Sequence, residues 1–222
     1  MTRSLALLAA LLLAAPLSAA APRPWTAVAT PAAAGSFLIG NPKARVKLVE
    51  YVSYTCPHCA HYASESATKL KAMVQSGSTS VEIRNQVHDG VDLAAVALAR
   101  CAGPVAFPAV HEAFFQRQQQ WYERAAEWSE GNRQRVSAWP QLAQIKALAE
   151  GAGLNDIAKQ AGAPAAAVDA CFASDAQIKR ALAVSEGTGK VSGTPAFEIN
   201  GRLVQNVGWK ELEPQLRAAG AK

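Results

Sequence analysis

The sequence has little that points to a nucleic-acid partner or to a bound metal. Its formal net charge is only +5 over 222 residues, and the basic residues form no long run, which argues against a nucleic-acid-binding surface. It has two methionines and four histidines and no tract rich in either residue, so a copper-binding tract is not indicated. The half-apolar composition instead predicts one globular domain, or one domain with a large insertion.

Residues 1–20 have the pattern of a secretory signal peptide. Arg3 supplies a positive charge, residues 5–13 form an unbroken Leu/Ala run, and small residues occupy positions 18–20, as in exported proteins. An uncleaved membrane anchor is the alternative, but the apolar run is shorter than the roughly 20 residues that a span needs. We expect cleavage after Ala20, which removes Arg3 and lowers the charge from +5 to +4. The mature chain is then expected in the periplasm, without a transmembrane segment.

Strand and helix patterns beyond this segment predict an α/β fold that is interrupted by a helical block. Residues 46–52 are apolar on both faces, as in a central strand. A helix follows from Cys56 to near Gly77 and a second strand over residues 81–87, which makes a βαβ unit with parallel strands. Asn200-Gly201 predicts a late hairpin, followed by a terminal helix. The predicted segments are a signal peptide (1–20), a flexible Ala/Pro-rich arm (21–34), the first part of the α/β domain (35–90), an inserted helical domain (91–187) and the second part of the α/β domain (188–222).

Inside the helical block, the pattern predicts where helices begin and end. Gly103-Pro104 ends the first helix, and apolar spacing then predicts a helix over residues 106–122. The polar stretch 129–140 is predicted to interrupt the pattern.

The run Cys56-Pro57-His58-Cys59 carries the clearest chemical signal. Two cysteines separated by two residues can close a small disulfide ring, and the N-terminus of a helix stabilises a thiolate at the first, more exposed position. Pro57 fits the first helical turn, where no N–H is needed, and His58 can direct a hydrogen bond or a positive charge toward the thiolate. A lowered thiol pKa favours the reduced pair. We therefore expect an oxidant in which Cys56 reacts with the partner and Cys59 is the resolving thiol.

Two other interpretations of this motif are open. Cys56 and Cys59 could bind zinc together with His61, but a structural zinc site takes four ligands, and Cys101 and Cys171 are isolated in the sequence. A purely structural disulfide between Cys56 and Cys59 would close too small a loop to constrain the unfolded chain strongly. We therefore predict no metal site.

The segment from Glu50 to Cys59, together with Gly193-Thr194-Pro195, resembles the active site of the DsbA-like branch of the thioredoxin superfamily. The resemblance covers most of the chain after the signal peptide. It implies a thioredoxin-like fold with an inserted α-helical domain, and a protein disulfide oxidase that binds no cofactor. It also implies reduced exported proteins as clients and a membrane quinone-linked oxidase of the DsbB type as the partner that re-oxidises the cysteine pair. We expect a monomer.

Thr194, Pro195 and Glu50 take their roles from this resemblance. A cis Thr194–Pro195 bond facing the cysteines is implied, although sequence alone favours trans. The free carbonyl and N–H of Thr194 would then pair with an extended client as an added strand. Glu50 points into an apolar layer beneath the motif, where a buried carboxyl with a raised pKa can relay a proton to Cys59. A partly solvated acid paired with a lysine is the alternative.

The remaining cysteines, Cys101 and Cys171, are predicted to form a structural disulfide, with two buried free thiols as the alternative. The helical block also contains an aromatic group, which we expect to pack helices rather than to form a client-binding surface. Its members are Trp121, Tyr122, Trp128 and Trp139.

The predicted function is an exported thiol–disulfide oxidoreductase that donates disulfides to newly exported proteins through Cys56 and Cys59. A disulfide isomerase or a reductase of the same superfamily is one alternative, although its isomerases usually carry a separate dimerisation domain. A periplasmic copper or zinc chaperone that uses the same two cysteines and a histidine is the alternative from a different class.

Overall fold

A mixed sheet of six strands forms the centre of the computed structural model, which describes residues 24–32 and 35–222. Its strands are β1 (Ala29–Pro31), β2 (Phe37–Gly40), β3 (Val46–Val52), β4 (Thr79–Asn85), β5 (Ala196–Ile199) and β6 (Arg202–Gln205). The helices are α1 (Pro57–Gln75), α2 (Gly90–Cys101), α3 (Gly103–Gln116), α4 (Gln118–Val136), α5 (Gln141–Gly151), α6 (Leu154–Gln160), α7 (Ala165–Asp169), α8 (Ala176–Glu186) and α9 (Trp209–Ala219). Within these described ranges, no helix combines the length and the apolar character needed to cross a membrane.

The strand order across the sheet is β1-β2-β4-β3-β5-β6, which places β3 near the middle. β3 and β4 run parallel with α1 between them in the chain, and the other neighbouring strands are antiparallel. Every residue of β3 except Lys47 is buried, which fits a strand that is apolar on both faces. The predicted α/β fold, with a βαβ part and a ββα part around a helical insertion, is confirmed.

Helices α2 to α8 lie between β4 and β5 in the chain, and α2 is at the centre of this block. Residues 91–99 of α2 are all buried, and α3, α5 and α8 pack against it. A helix that is apolar on nearly all sides, with Asp92 as the exception among its buried residues, suits such an enclosed position. The predicted segment boundaries at residues 90/91 and 187/188 stay predictions, although the first lies at the start of α2 and the second just after the end of α8. The predicted signal peptide (1–20) lies outside the described residues.

The predicted flexible arm (21–34) differs from the structure where it is described. Residues 29–31 form β1, which pairs antiparallel with β2, and Ala29 is buried. β2 was not predicted either, and it extends the sheet beyond β4. Strands of three and four residues are too short to show an alternation that separates them from an Ala/Pro-rich linker.

The predicted boundaries in the middle of the helical block are wrong. The helix predicted over residues 106–122 breaks at Arg117, between α3 and α4. The Trp121 indole donates to the Phe114 carbonyl at 2.8 Å. This hydrogen bond gives a partner to a carbonyl that the end of α3 leaves free, so the helix ends there although the sequence has no glycine or proline at the break. α4 then continues to Val136 through the polar stretch that was expected to interrupt it. Only three residues of α4 are buried, so its apolar periodicity is weak.

The aromatic group of the helical block divides into buried and exposed members. Trp121 is completely buried. Trp128 packs on Gly151, where a Cβ would lie 2.2 Å from the indole ring. Tyr122 and Trp139 are 45% and 38% exposed. Helix packing therefore accounts for Trp121 and Trp128, and not for the other two.

A disulfide joins Cys101, the last residue of α2, to Cys171 after α7. The two cysteines are 70 residues apart in the sequence, and Cys171 is buried. The bridge therefore ties the central helix of the block to its later, short helices.

The double variant Cys101→Ala/Cys171→Ala is expected to lower the free energy of unfolding by about 2–4 kcal/mol, because the disulfide restricts a long loop of the unfolded chain. Urea unfolding of the oxidised wild type and of the double variant, followed by far-UV circular dichroism, measures the difference. Equal unfolding midpoints would contradict a stabilising role for the bridge.

Candidate active site

The two cysteines of the motif lie at the N-terminus of α1. Cys56 is the N-cap residue and Pro57 the first helical residue. The backbone N–H groups of His58 and Cys59 favour the thiolate form of Cys56, although neither makes a capping hydrogen bond to the sulfur, while Pro57 has no N–H to contribute. Both cysteines are free thiols in this structure, so it describes the reduced pair.

The two thiols have opposite pKa changes. The hydrogen bond from the Cys59 thiol is the largest cause that lowers the pKa of Cys56 to about 5; partial burial opposes it, and the Thr194 side chain and two backbone N–H groups support it. Burial, and then the hydrogen bond to Cys56, raise the pKa of Cys59 far above its usual range. Cys59 is 0% exposed and Cys56 7%. At neutral pH the charge therefore lies on Cys56 and the proton on Cys59.

The structure shows a main-chain contribution of His58, and the expected role of its side chain stays a prediction. Its backbone N–H supports the Cys56 sulfur, whereas its imidazole is exposed and lines a groove beside Thr194 and Pro195. No hydrogen bond from the ring to Cys56 occurs within the described residues. The first turn of α1 places the main chain of residue 58 near the Cys56 sulfur.

The Thr194–Pro195 segment faces the cysteine pair from the loop before β5. The Thr194–Pro195 peptide bond is cis, and the Thr194 carbonyl lies 3.2 Å from Cys56 Sγ, from which it accepts a hydrogen bond while Cys56 is a protonated thiol. The carbonyl therefore has this donor only while Cys56 keeps its proton, and the expectation that it is free to pair with a client stays a prediction. A groove of about 310 Å³ runs alongside, and both Thr194 and Pro195 line it.

Glu50 lies on β3 beneath the motif and is 4% exposed. The Tyr62 hydroxyl donates to Glu50 Oε1 at 2.7 Å. Burial raises the pKa of Glu50 to about 7, and the hydrogen bond from Tyr62 lowers it in part. No lysine pairs with Glu50 within the described residues, so the lysine-paired alternative is wrong. Tyr62 was not identified from the sequence, where it is one more aromatic residue on a helix.

Comparison with known proteins places the chain in a family. The family model described as Thioredoxin matches residues 32–218. The chain belongs to the thioredoxin family. A solved structure of a protein-disulfide isomerase from Novosphingobium aromaticivorans is 36% identical, with a TM-score of 0.73 over 82% of this chain and 95% of that chain. The structure of alpha-DsbA1 from Wolbachia pipientis is 18% identical, with a TM-score of 0.63 over 83% of this chain and 90% of that chain, and supports the fold alone.

Curated relatives of this thioredoxin-family chain include a Rickettsia prowazekii protein that is provisionally named a protein-disulfide oxidoreductase. It is 29% identical over 174 residues, which are 76% of this chain and 56% of that protein. The chain spans about half the length of the curated relatives it matches. The resemblance to DsbA-like proteins and the thioredoxin-like fold with an inserted helical domain are confirmed.

A buried carboxyl group of the helical block holds the segment in front of Cys56, and the sequence analysis missed it. Asp92, on α2, accepts hydrogen bonds from Ser53 Oγ at 2.6 Å and from the Tyr54 N–H at 2.9 Å. Burial is the main cause that raises the pKa of Asp92 to about 6. Its place in the first turn of α2, after the capping residue Asp89, makes it look like an ordinary helix-start acid.

A second residue of the helical block supports the same segment from the other side. Gln118 Nε2 donates to the Tyr54 carbonyl at 2.7 Å and to the Cys56 carbonyl at 2.9 Å. Asp92 therefore accepts a hydrogen bond from the Tyr54 N–H, and Gln118 donates one to the Tyr54 carbonyl. Gln118 is the first residue of α4, and the break before it has no sequence signal, so nothing in the sequence places this amide at the active site.

The metal-binding interpretation of the motif can be compared with the geometry. Among the residues that the structure describes, no three His, Cys, Asp or Glu side chains gather where they could hold a metal ion. His61, the suggested third ligand, has its Nε2 atom 3.4 Å from Glu65 Oε1, one turn along α1.

Glu50→Gln should change how stability depends on pH. Because the pKa of Glu50 is about 7 in the folded protein against an ordinary value of 4.5, the folded state binds the extra proton between these values, and this group makes stability fall as pH rises through that window. The loss amounts to at most about 3 kcal/mol. Urea unfolding of wild type and variant from pH 4 to pH 8, in one redox state, should show the variant gaining relative stability as pH rises. A difference that does not vary with pH would contradict the raised pKa.

Gln118→Ala should raise the pKa of Cys56 by about one unit, because a loosened backbone weakens the N–H hydrogen bonds that favour the thiolate. The thiolate absorbance at 240 nm, titrated in the reduced protein, measures this. Gln119→Ala is the matched control, since the neighbouring exposed amide donates to Glu123 on the same helix. The same Cys56 pKa in both variants would rule out this role for Gln118.

Proposed function

We propose that this thioredoxin-family protein is an exported, monomeric thiol–disulfide oxidoreductase of the periplasm that donates disulfides to newly exported proteins. The observation that carries the proposal is the contrast between Cys56, whose pKa is about 5, and Cys59, whose pKa is raised. A stabilised thiolate favours the reduced pair, and each pKa unit corresponds to about 30 mV of added oxidising potential. The names of the Novosphingobium and Rickettsia relatives support the same class of chemistry.

The proposed reaction is a two-step thiol–disulfide exchange. A client thiolate attacks the Cys56 sulfur of the oxidised pair, the bond between the two cysteines breaks, and Cys59 leaves and takes up a proton. A second client thiolate then attacks the client sulfur of the mixed disulfide, and Cys56 leaves as a thiolate. The client loses two electrons and gains a disulfide. A membrane quinone-linked oxidase of the DsbB type is the proposed acceptor that takes these electrons from the pair.

Glu50 and Thr194 have separate roles in this proposal. Glu50 gives a proton to Cys59 and takes it back, because a pKa near 7 lets one carboxyl do both at neutral pH. Cys56 has no proton to donate in a disulfide, so the Thr194 carbonyl, which lies 3.2 Å from Cys56 Sγ, can accept a client N–H. Pro195 offers no N–H of its own, so the client adds as a strand alongside Thr194.

Disulfide isomerisation is the second candidate function. The 36%-identical Novosphingobium structure is described as a protein-disulfide isomerase. An isomerase must act on clients as the reduced pair, whereas a donor acts as the oxidised pair. Refolding of scrambled ribonuclease by the reduced protein, compared with oxidation of reduced ribonuclease by the oxidised protein, separates the two functions.

A redox titration against glutathione tests the direction of electron flow. Thioredoxin has a thiol pKa of about 7 and a potential of about −270 mV, so a Cys56 pKa two units lower implies a potential at least about 60 mV more oxidising. The fraction of alkylatable Cys56 and Cys59 at each glutathione ratio gives the potential. A value as reducing as that of thioredoxin would overturn the donor proposal.

Two further measurements accompany this titration. Cys59→Ser should accumulate a mixed disulfide between Cys56 and reduced ribonuclease, because the resolving thiol is gone, and Cys56→Ser should form none. Elemental analysis of the purified reduced protein addresses the metal-chaperone alternative. Stoichiometric, tightly bound copper or zinc would contradict the proposed function.

A further inference from the structure

Tyr62 connects the catalytic helix to the buried carboxyl group beneath it. It lies on α1 one turn after Cys59, and both side chains face the core. Its hydroxyl is the hydrogen-bond partner of Glu50 within the described residues. The ring packs against Phe197 of β5, with centroids 4.7 Å apart, and against Trp209 of α9 at 6.3 Å. The hydroxyl therefore has a fixed position from which to orient the carboxyl group.

Tyr62 also stands between two cavities. A largely apolar cavity of about 700 Å³, between α1, α3 and the sheet, is lined by Glu50. The groove of about 310 Å³ beside Thr194 and Pro195 lies on the client side. Tyr62 is the residue that lines both. Glu50 therefore faces a space separate from the groove in which a client would lie.

Apart from Tyr62, the groups around Glu50 are apolar, neutral or bonded to another residue, so Tyr62 is its main polar contact. From α1, Lys71 lines the same cavity, but it lies 3.9 Å from Glu112 of α3 and both side chains are about half exposed. From α3, His111 is neutral at physiological pH because burial lowers its pKa to about 4. The strand partners of Glu50 are apolar: Ile83 on β4 and Phe197 on β5. Cys59 on α1 is the remaining titratable neighbour of the pair, through its interaction with Tyr62.

We propose that Tyr62 is a positioning residue whose hydroxyl favours the ionised form of the Glu50 carboxyl group and orients it as the proton acceptor for Cys59. The inference rests on the proposed role of Glu50. In the step concerned, the Cys59 thiol gives its proton to the carboxylate, which yields a thiolate and a carboxylic acid without any change in net charge. A hydrogen bond to a charged acceptor favours the ionised form, so its loss leaves Glu50 protonated at neutral pH and unable to accept.

Tyr62→Phe tests the proposal, because it removes only the hydroxyl and keeps the packed ring. The pKa of Glu50, followed by the carboxyl carbon signal of labelled glutamate, should rise by about one to two units, the loss expected for a hydrogen bond to a charged group. The second readout is the rate at which Cys59 displaces glutathione from a Cys56–glutathione mixed disulfide. At pH 7 this rate should fall about ten-fold or more, and it should recover at high pH as Glu50 ionises.

A double-mutant cycle and a matched control complete the test. In a Glu50→Gln background, Tyr62→Phe should have no further effect on the pH dependence of glutathione release. Tyr122→Phe, which removes the hydroxyl of an exposed tyrosine on α4, should leave both readouts unchanged.

Three outcomes would overturn the proposal: an unchanged pKa of Glu50 in Tyr62→Phe, equal slowing at every pH, or slowing that persists in the Glu50→Gln background. The pKa of Glu50 reports on Tyr62 even if the potential shows that the protein is not a disulfide donor, so the two proposals fail separately.

Discussion

The hydrogen bond that Cys59 donates to the Cys56 sulfur is the interaction on which the rest of the site depends. It allows one negative charge to lie in a place that is only 7% exposed, where an unsupported thiolate would be unfavourable. Two N–H groups of α1 and the Thr194 side chain add to it. These groups meet because β3 leads into α1 and pairs directly with β5, which begins just after Thr194. The sheet order is therefore a condition for the chemistry.

The inserted helical block supports this arrangement from outside the sheet. Asp92 of α2 accepts a hydrogen bond from the Tyr54 N–H, and Gln118 of α4 donates one to the Tyr54 carbonyl. Tyr54 itself is fully buried, and its hydroxyl lies 2.9 Å from His111 Nδ1 on α3. Because the N–H, the carbonyl and the side chain of Tyr54 are all bonded, the segment in front of Cys56 has little conformational freedom. The helix N-terminus that stabilises the thiolate is thus fixed by residues far away in the sequence.

The fold and the two reacting cysteines could be predicted from the sequence, whereas the residues that hold the cysteines in place could not. β3, α1 and β4 have long, regular patterns, and the Cys56–Cys59 spacing is local, so both could be predicted. Tyr62, Asp92 and Gln118 act through contacts across 12 to 64 positions, and each has a side chain that is ordinary for its place in a helix. The position of Gln118 also depends on the helix break at Arg117. The Trp121 indole donates a hydrogen bond to the Phe114 carbonyl across this break, and the local sequence pattern does not predict such a contact. At His58 the sequence indicated only the side chain, whose role stays a prediction, and the structure adds a contribution from its backbone N–H.

The pKa values of Cys56 and Glu50, about 5 and about 7, give these two acids different charge states in the pH range between them. Between these values Cys56 is mainly a thiolate and Glu50 mainly a carboxylic acid. The proton on Glu50 is then available when Cys59 leaves a disulfide. Above pH 7 the carboxylate predominates, and the reverse step, in which Cys59 must lose its proton, is favoured instead. Burial sets the pKa of Glu50 high and Tyr62 brings it back toward neutrality, and this balance lets one carboxyl group serve both directions of exchange.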